Sequence, residues 1–530
     1  MRETYPENLL ITLIVLLYLL LSVPLIPLLG LYYDEVMFAN ISLGDIDGSF
    51  VYSRLLGVPF MAMPYVGSLK GFLYYPLFHL FEPDVYLVRL PMVIIGALSL
   101  LIMFHIVKEI SGAEVALLAC FLCAADFSYI SATTFNFGSV TVALFLRLAS
   151  MYSFTKWIKS RDNTHLAVAL FLCLAGVWDK LVFIWYVNGL ILSSLLVYHQ
   201  EIKRTLREKP PKRWLTYPII LLVVAAFLAA IYILCFRPPV LTNIAGNFLD
   251  LNYEQLHYKY VLLASTINGS AFHNWALTKN IVGSSLFAYY FLSILLLYVL
   301  LSYASKTPPS KEITLTAFIL VFIILQIFIT PNATGMHHVM SIYPLQFIVL
   351  SHMLFSCAKM VRAKIRQNTI SLLMIILIVS PLALHVLEQI NILSDFRKNA
   401  SEGDVNPQWS PKISALADYV KSRPNQQFFE VDWGTHNQLL VLASKNGRIN
   451  SRELLWLLNE EMSPEKKASF NREYMKPGAY YILHSNSTTN FMTARTNFLT
   501  IVQEYNHTLE LAESINSTQG ALYEVFKLEK

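Results

Sequence analysis

The chain has 530 residues, of which 55% are hydrophobic and only 14% charged, with a formal net charge of +5 and a mean hydropathy of +0.50. That is far more apolar sequence than a soluble core of this length uses, so a soluble or disordered chain is excluded and an integral membrane protein is indicated. The basic residues lie in short loops between apolar runs, which suits membrane orientation and argues against nucleic-acid binding.

A hydrocarbon core about 30 Å thick takes roughly 20 apolar residues per helix. In chain order the predicted spans are residues 9–31, 90–107, 115–130, 139–158, 166–177, 181–198, 217–236, 281–303, 313–330, 340–360 and 370–390, about eleven in all. The first is too long for a signal peptide and no small-residue cleavage site follows it, so it is expected to stay as an anchor. Between it and the second span the chain presents Tyr32-Tyr33-Asp34-Glu35 and then Lys70-Gly71-Phe72-Leu73-Tyr74-Tyr75-Pro76. The span beginning at Leu166 is short, which places Trp178-Asp179-Lys180 in a tight turn at a membrane face. Arg147 falls in the middle of the fourth span and needs a partner, Asp126 or another acid. The five cysteines, Cys120, Cys123, Cys173, Cys235 and Cys357, all lie within predicted spans, so no disulfide framework is expected.

Lys156, Lys159 and Arg161, the cluster from Lys203 to Arg213, Lys306 and Lys311, and Lys359 to Arg366 all fall on one side, assigned to the cytoplasm. The Asp34 loop, the Asp179 turn, the loops 237–280 and 331–339 and everything beyond Asn391 then face the other way. The tail reads as helix over 413–421, strand over 427–433, helix over 436–444, strand over 480–484, helix over 491–505 and extended segments over 509–512 and 522–528. Asn399, Asn486, Asn506 and Asn516 each begin an Asn-x-Ser/Thr sequon.

The acidic pair Asp34-Glu35, the Lys70 to Pro76 segment, Val88-Arg89-Leu90-Pro91 entering the second span, and the lysine closing Gly176-Val177-Trp178-Asp179-Lys180 together resemble the membrane glycosyltransferases of the GT-C superfamily. The likeness is strongest to the family that includes the dolichyl-phosphate-mannose protein mannosyltransferases and the lipid A aminoarabinose transferases. It implies an α-helical polytopic membrane protein of GT-C-like fold with a C-terminal extracytoplasmic α/β domain. Residues 1–398 would form the transmembrane domain, with a catalytic first outer loop at 32–89, and residues 399–530 the soluble domain.

The resemblance further implies inverting transfer of a sugar from a polyprenyl-phosphate donor to a lipid, glycan or protein acceptor on the extracytoplasmic face. The setting would be the plasma (inner) membrane, or the endoplasmic reticulum in a eukaryote. Asp34 matches the family acid that takes the acceptor proton, and Glu35 would orient it or help bind a cation. Lys70, Arg89 and Lys180, joined by His337 and His338, would hold the donor phosphate, and Tyr74, Tyr75, Asn136 and Asp179 would meet acceptor or sugar.

One departure stands out. Relatives often carry a second acid between the third and fourth spans, where this chain has Asn136, so no cofactor is assigned and a divalent cation is left open. Asp45-Ile46-Asp47 fits a plain turn better than a cation-binding DxD. Adjacent side chains such as His337 and His338 are expected to point apart, against a two-ligand metal site. Tyr253, His257, Tyr258, Tyr260, His273 and Trp275 suit either sugar stacking or the membrane interface. Asp432 to His436 ends a predicted strand at a helix start, where a ligand could meet backbone amides, and fits a strand-to-helix turn capped by Thr435 or its neighbour better. The competing classes are a transporter or flippase of lipid-linked saccharides, which should show internal repeats, and an inactive GT-C-like scaffold.

Overall fold

The computed structural model describes residues 5–43, 51–201, 252–279, 286–331, 333–365, 367–443, 449–518 and 520–529. The Asp45-Ile46-Asp47 tripeptide, the predicted span 217–236, Cys235 and the basic cluster from Lys203 to Arg213 lie outside these residues.

Helix α1 (Tyr5–Ser22) passes into a 3-10 turn at Val23–Leu28. Pro24 and Pro27 supply no amide hydrogen there, so the α-helical ladder cannot continue. The chain then forms α2 (Tyr33–Ser42), a small antiparallel sheet of β1 (Ser53–Leu55), β2 (Val58–Met63) and β3 (Val66–Gly67), and the helices α3 (Leu69–Leu80) and α4 (Val85–Ser111). α5 (Ala113–Ala125) and α6 (Phe127–Phe135) meet at a bend of 64°. Asp126 makes this break by turning its carboxylate onto the Tyr129 amide at 2.8 Å, an N-cap that starts a new helix where hydropathy alone predicts one continuous span. α7 (Val140–Ser160), α8 (Asn163–Asp179) and α9 (Ile184–Val197) follow, then helices at Tyr253–Ile267, Ser270–Ala276, Leu286–Ser305, Lys311–Ile329, Leu345–Lys364 and Asn368–Glu402.

Among the described residues six helices are long and apolar enough to cross a membrane, or seven if the bent pair counts as one span. The predicted eleven are not reproduced by that measure. α8 and the stretch Leu181–Val197 are too short, and α7 carries Arg147 and Lys156 within its length. The chain is nonetheless a multi-pass membrane protein, with rows of exposed leucines, such as Leu9, Leu13, Leu16 and Leu20 on α1, suited to lipid contact. Arg147 does not pair with Asp126. Its Nη1 donates to the carbonyls of Tyr343 (2.5 Å) and Met340 (3.5 Å), where the chain enters the Leu345–Lys364 helix. The four described cysteines are buried and free.

The tail holds a five-stranded sheet in the order β5-β4-β6-β8-β7, built from β4 (Phe428–Glu430), β5 (Ser451–Glu453), β6 (Tyr480–His484), β7 (Leu509–Ser517) and β8 (Gly520–Leu528). β4 is parallel to β5 and β6, and β8 antiparallel to β6 and β7. Parallel neighbours need crossovers, which the helices Thr435–Leu442 and Pro464–Tyr474 supply. Alternation along β6 sends Tyr481 into one apolar layer with Phe470 and Phe498, and Ile482 into the other with Leu416 and Leu439. The strand expected over 427–433 shortens to three residues, and β5 and the helix Pro464–Tyr474 were not anticipated. The expected boundary at residue 399 falls inside the 35-residue helix Asn368–Glu402, which carries the chain past its apolar run into the tail.

The tail is clasped to the membrane part close to α2. The Gly30 amide donates to the Trp409 carbonyl at 2.7 Å, Asn406 to Ala276 at 2.7 Å, and Asn40 Nδ2 to the Asn437 carbonyl at 3.0 Å. Gln438 reaches the Leu31 carbonyl.

Candidate active site

α2 brings both acids of the first outer segment into one helical turn, where the aligned amides of a helix start favour negative charge. Their surroundings then separate them. Glu35 is 1% exposed and takes a bidentate contact from Arg89, Nε to Oε2 at 2.9 Å and Nη2 to Oε1 at 3.0 Å. The remaining donors of Arg89 go to the carbonyls of Ile26, Leu29 and Gly30, each at 2.7 Å. The guanidinium also lies over the Phe135 ring. Burial pushes the Glu35 carboxyl up to about 7, with Arg89 acting in the opposite sense. This closed network corrects one expectation: Arg89 has no donor left for a phosphate, and both Glu35 oxygens are engaged by it. Together they pin the chain leaving the first span onto α4.

Asp34 keeps partial solvent access. Burial raises its carboxyl above the ordinary carboxylate range, and Lys180, Lys70 and the Gly138 amide act to lower it. Lys70, on α3, is wholly buried with its Nζ 4.1 Å from the centre of the Phe38 ring. Among the described residues that ammonium has no hydrogen-bond partner, and neither oxygen of the buried Asp179 has one. Burial lowers Lys70 to about 8, against the fields of Asp179, Glu35 and Asp34. Asp179, beyond the apolar run of α8, is pushed up to about 7 by burial, with Lys70 and Lys180 opposing. Lys180 is likewise lowered to about 8, and its Nζ donates to the Gly138 carbonyl at 2.7 Å. Buried charges without hydrogen-bond partners are costly, so this arrangement has the chemistry of a site that receives a polar ligand.

The turn carrying Asp179 and Lys180 is held by the outer sheet. Leu181 donates to the Tyr65 carbonyl at 3.0 Å and Val66 bridges to Lys180. Trp178 Nε1 donates to the Phe60 carbonyl at 2.9 Å, and its ring stacks on Phe60. Gly67 passes so close that a Cβ there would lie 2.0 Å from the Trp178 carbonyl.

Between α6 and α7 the chain crosses the site in a turn with positive φ at Asn136 (45°), Gly138 (68°) and Ser139 (59°). Asn136 Oδ1 accepts the Thr141 amide at 3.2 Å, which leaves its buried Nδ2 and the Ser139 hydroxyl without partners among the described residues. A Cβ on Gly138 would fall 2.6 Å from His337.

The histidines do not point apart as expected. Met336–Val339 is a single helical turn, and the ring nitrogens His337 Nε2 and His338 Nε2 lie 3.2 Å apart. The Gly335 amide donates to His338 Nδ1 at 3.2 Å, so His338 carries its proton on Nε2 and donates it to His337 Nε2. His337 therefore holds its proton on Nδ1, beside Gly138. The acceptor-side tyrosines are not part of this group. The Tyr74 hydroxyl is committed to the Val88 carbonyl at 2.8 Å, joining α3 to α4, and Tyr75 is exposed against His79. Of the aromatic loop residues, Tyr253, Tyr258 and Tyr260 are exposed, His273 is paired with Asp395 at 2.7 Å, and Trp275 packs edge-on against Tyr32. Among the described residues no group of three or more His, Cys, Asp or Glu side chains is placed to hold a metal ion.

Sequence reasoning missed Gly138 and Ser139, and took the tail's Trp433 only as part of a strand-to-helix turn. A glycine two residues beyond Asn136 was the available signal for the first two. The place of Trp433 beside α2 had none, because it depends on how the tail docks.

An outer-loop acid faced by buried lysines thus sits on a multi-pass bundle with a tail clasped to the same end. Residues 71–230 match the dolichyl-phosphate-mannose-protein mannosyltransferase family model. The chain superposes on ArnT from Cupriavidus metallidurans, solved bound to undecaprenyl phosphate, with TM-score 0.56 and 12% identity, over 98% of this chain and 97% of that one. It also superposes on the Archaeoglobus fulgidus oligosaccharyltransferase tethered with an acceptor peptide containing the NVT sequon, with TM-score 0.53 and 12% identity, over 99% of this chain and 74% of that one. No curated protein sequence matches the chain.

Proposed function

We propose that the protein transfers a sugar from a polyprenyl-phosphate donor to an acceptor hydroxyl, with inversion, at the end of the bundle covered by the tail. The observation that carries this reading is the gathering about one partly accessible acid, Asp34, of two buried lysines, Lys70 and Lys180, the first with its ammonium unpartnered among the described residues and the second bonded to the Gly138 carbonyl. The family match and the ArnT fold support a lipid-linked donor.

Asp34 takes the proton from the acceptor hydroxyl as that oxygen bonds to the anomeric carbon. The bond from that carbon to the phosphate oxygen breaks, and polyprenyl phosphate leaves with the electron pair. Lys70 and Lys180 stabilise the charge that develops on the phosphate, in a setting where water screens little. His337 Nδ1 and Asn136 Nδ2 are further donors for phosphate or sugar oxygens, and Asp179 keeps the lysines charged until the donor arrives. No step is routed through a metal ion. An extracytoplasmic site is supported by the basic residues Lys108, Lys156 and Lys159 at the opposite end of the bundle, where they pair with Glu7 and Glu109.

The test is incubation of purified protein with a panel of polyprenyl-phosphate sugars, following release of free polyprenyl phosphate. Release from at least one donor is expected. If none is consumed under any metal condition the transferase reading fails, and a carrier or scaffold takes its place.

A further inference from the structure

Inversion aligns the attacking hydroxyl, the anomeric carbon and the departing phosphate oxygen, so the acceptor must reach Asp34 from the side away from Lys70 and Lys180. The tail packs against α2 beside Asp34. The Tyr33 ring stacks on Trp433 with centroids 4.7 Å apart and planes at 27°. Tyr32 meets Trp433 edge-on at 5.8 Å and stacks on Trp409 at 4.4 Å. Trp433 is fixed in the turn after β4, where Asp432 Oδ1 accepts its amide at 2.8 Å and Gly434 turns the chain with φ +79°. Opposite, Tyr65 at the tip of the β2–β3 hairpin is 46% exposed while its carbonyl is tied to the Lys180 turn. The Tyr33 hydroxyl feels the charges of both Asp34 and Glu453 of β5, and the Tyr65 hydroxyl that of Asp34. Neither Tyr33 nor Trp433 is fully buried.

Partly exposed rings beside carboxylates suit a pyranose, whose C–H face packs on aromatic rings and whose hydroxyls donate to carboxylates. We infer that Tyr33, Tyr65, Trp433 and Glu453 form a saccharide subsite shared by the outer loop and the tail, and that the acceptor is a glycan whose hydroxyl this subsite presents to Asp34. This rests on the transfer reading above and names its acceptor class.

The first measurement is saturation-transfer NMR on the full-length detergent-solubilised protein, with a panel of methyl pyranosides and a Ser/Thr-containing peptide as probes. Transfer to the ring protons of at least one pyranoside is expected, falling severalfold in Trp433→Ala and in Tyr65→Ala. Tyr65→Ala carries the result alone if Trp433→Ala does not fold, because its ring is exposed. No transfer to any pyranoside, transfer indifferent to both substitutions, or transfer to the peptide alone overturns the inference. In turnover, the KM for a saccharide acceptor should rise about tenfold in these variants with donor KM within about twofold of wild type. A parallel rise in donor KM would mean that the rings hold the donor sugar, and it overturns the acceptor assignment. A wild-type protein that consumes no donor sinks the transfer reading instead, and the NMR result then decides the saccharide subsite by itself.

Discussion

Asp34 and Glu35 are neighbours in sequence and opposite in circumstance. Glu35 is spent on Arg89, whereas Asp34 keeps an open side and faces two lysines that favour its ionised form. Asp34→Asn should therefore abolish donor consumption, a loss of at least about a hundredfold for a general base, while size exclusion and melting stay near wild type. The pH profile follows from the same residues. Asp34 must be ionised and burial raises its carboxyl, so activity should climb through an acid limb above the usual carboxylate range. Lys70 and Lys180 must be charged, and burial brings both down to about 8, so kcat/KM for the donor should fall as pH rises past about 8. A bound phosphate favours the charged ammonium, so the alkaline limb of kcat should lie higher than that of kcat/KM; coincident limbs would count against a lysine contact with phosphate.

At the scale of elements, two short connections set the site. The first is the turn between the first span and α2, which Arg89 draws onto α4 through three carbonyls and Glu35. Removing one member of a buried ion pair strands the other, so Arg89→Ala should cost about 3–5 kcal/mol. The expected readout is a lowered melting temperature, with any surviving activity showing an unchanged donor KM. A raised donor KM in a stable variant would restore Arg89 to the phosphate site. The second is the turn 136–139. Gly138→Ala combines a positive φ with a Cβ 2.6 Å from His337, so the Lys180 contact to this carbonyl should shift. Donor turnover should drop at least about tenfold, about 1.4 kcal/mol in the barrier, with the bundle still folded. In the tail, Glu430 is buried and satisfied by Ser451 Oγ at 2.7 Å and His436 Nδ1 at 3.1 Å, which registers β5 and the helix Thr435–Leu442 against β4. β5 was missed because Ser451-Arg452-Glu453 has no apolar alternation, and its pairing comes from this buried acid and not from its own propensity. The helix Pro464–Tyr474 did carry signals, Ser463 as N-cap and Pro464 in the first turn, but its polar composition hid them.

Over the whole molecule, the Asp34 helix, the Lys180 turn, the histidine turn and the tail gather at one end of the bundle, and the ion-paired lysines at the other. A cysteine placed at exposed Ser487 should react with a membrane-impermeant maleimide on intact cells, and one placed at Lys159 only after permeabilisation. The reverse pattern would put Asp34 in the cytoplasm and end the proposed reaction. Hydropathy and residue order were enough to determine that the chain is a multi-pass membrane protein with an α/β tail, because bilayer thickness dictates run length and charge avoids hydrocarbon. They also marked Asp34, Lys70 and Lys180 as charges near a membrane face. Three matters were decided only in three dimensions: that Arg89 serves Glu35 and backbone carbonyls, that the histidine pair converges beside Gly138, and that Trp433 comes against Tyr33. Each depends on residues far apart in the chain meeting, and the direction of a side chain at such a meeting is set by packing and hydrogen-bond satisfaction, which local pattern does not encode.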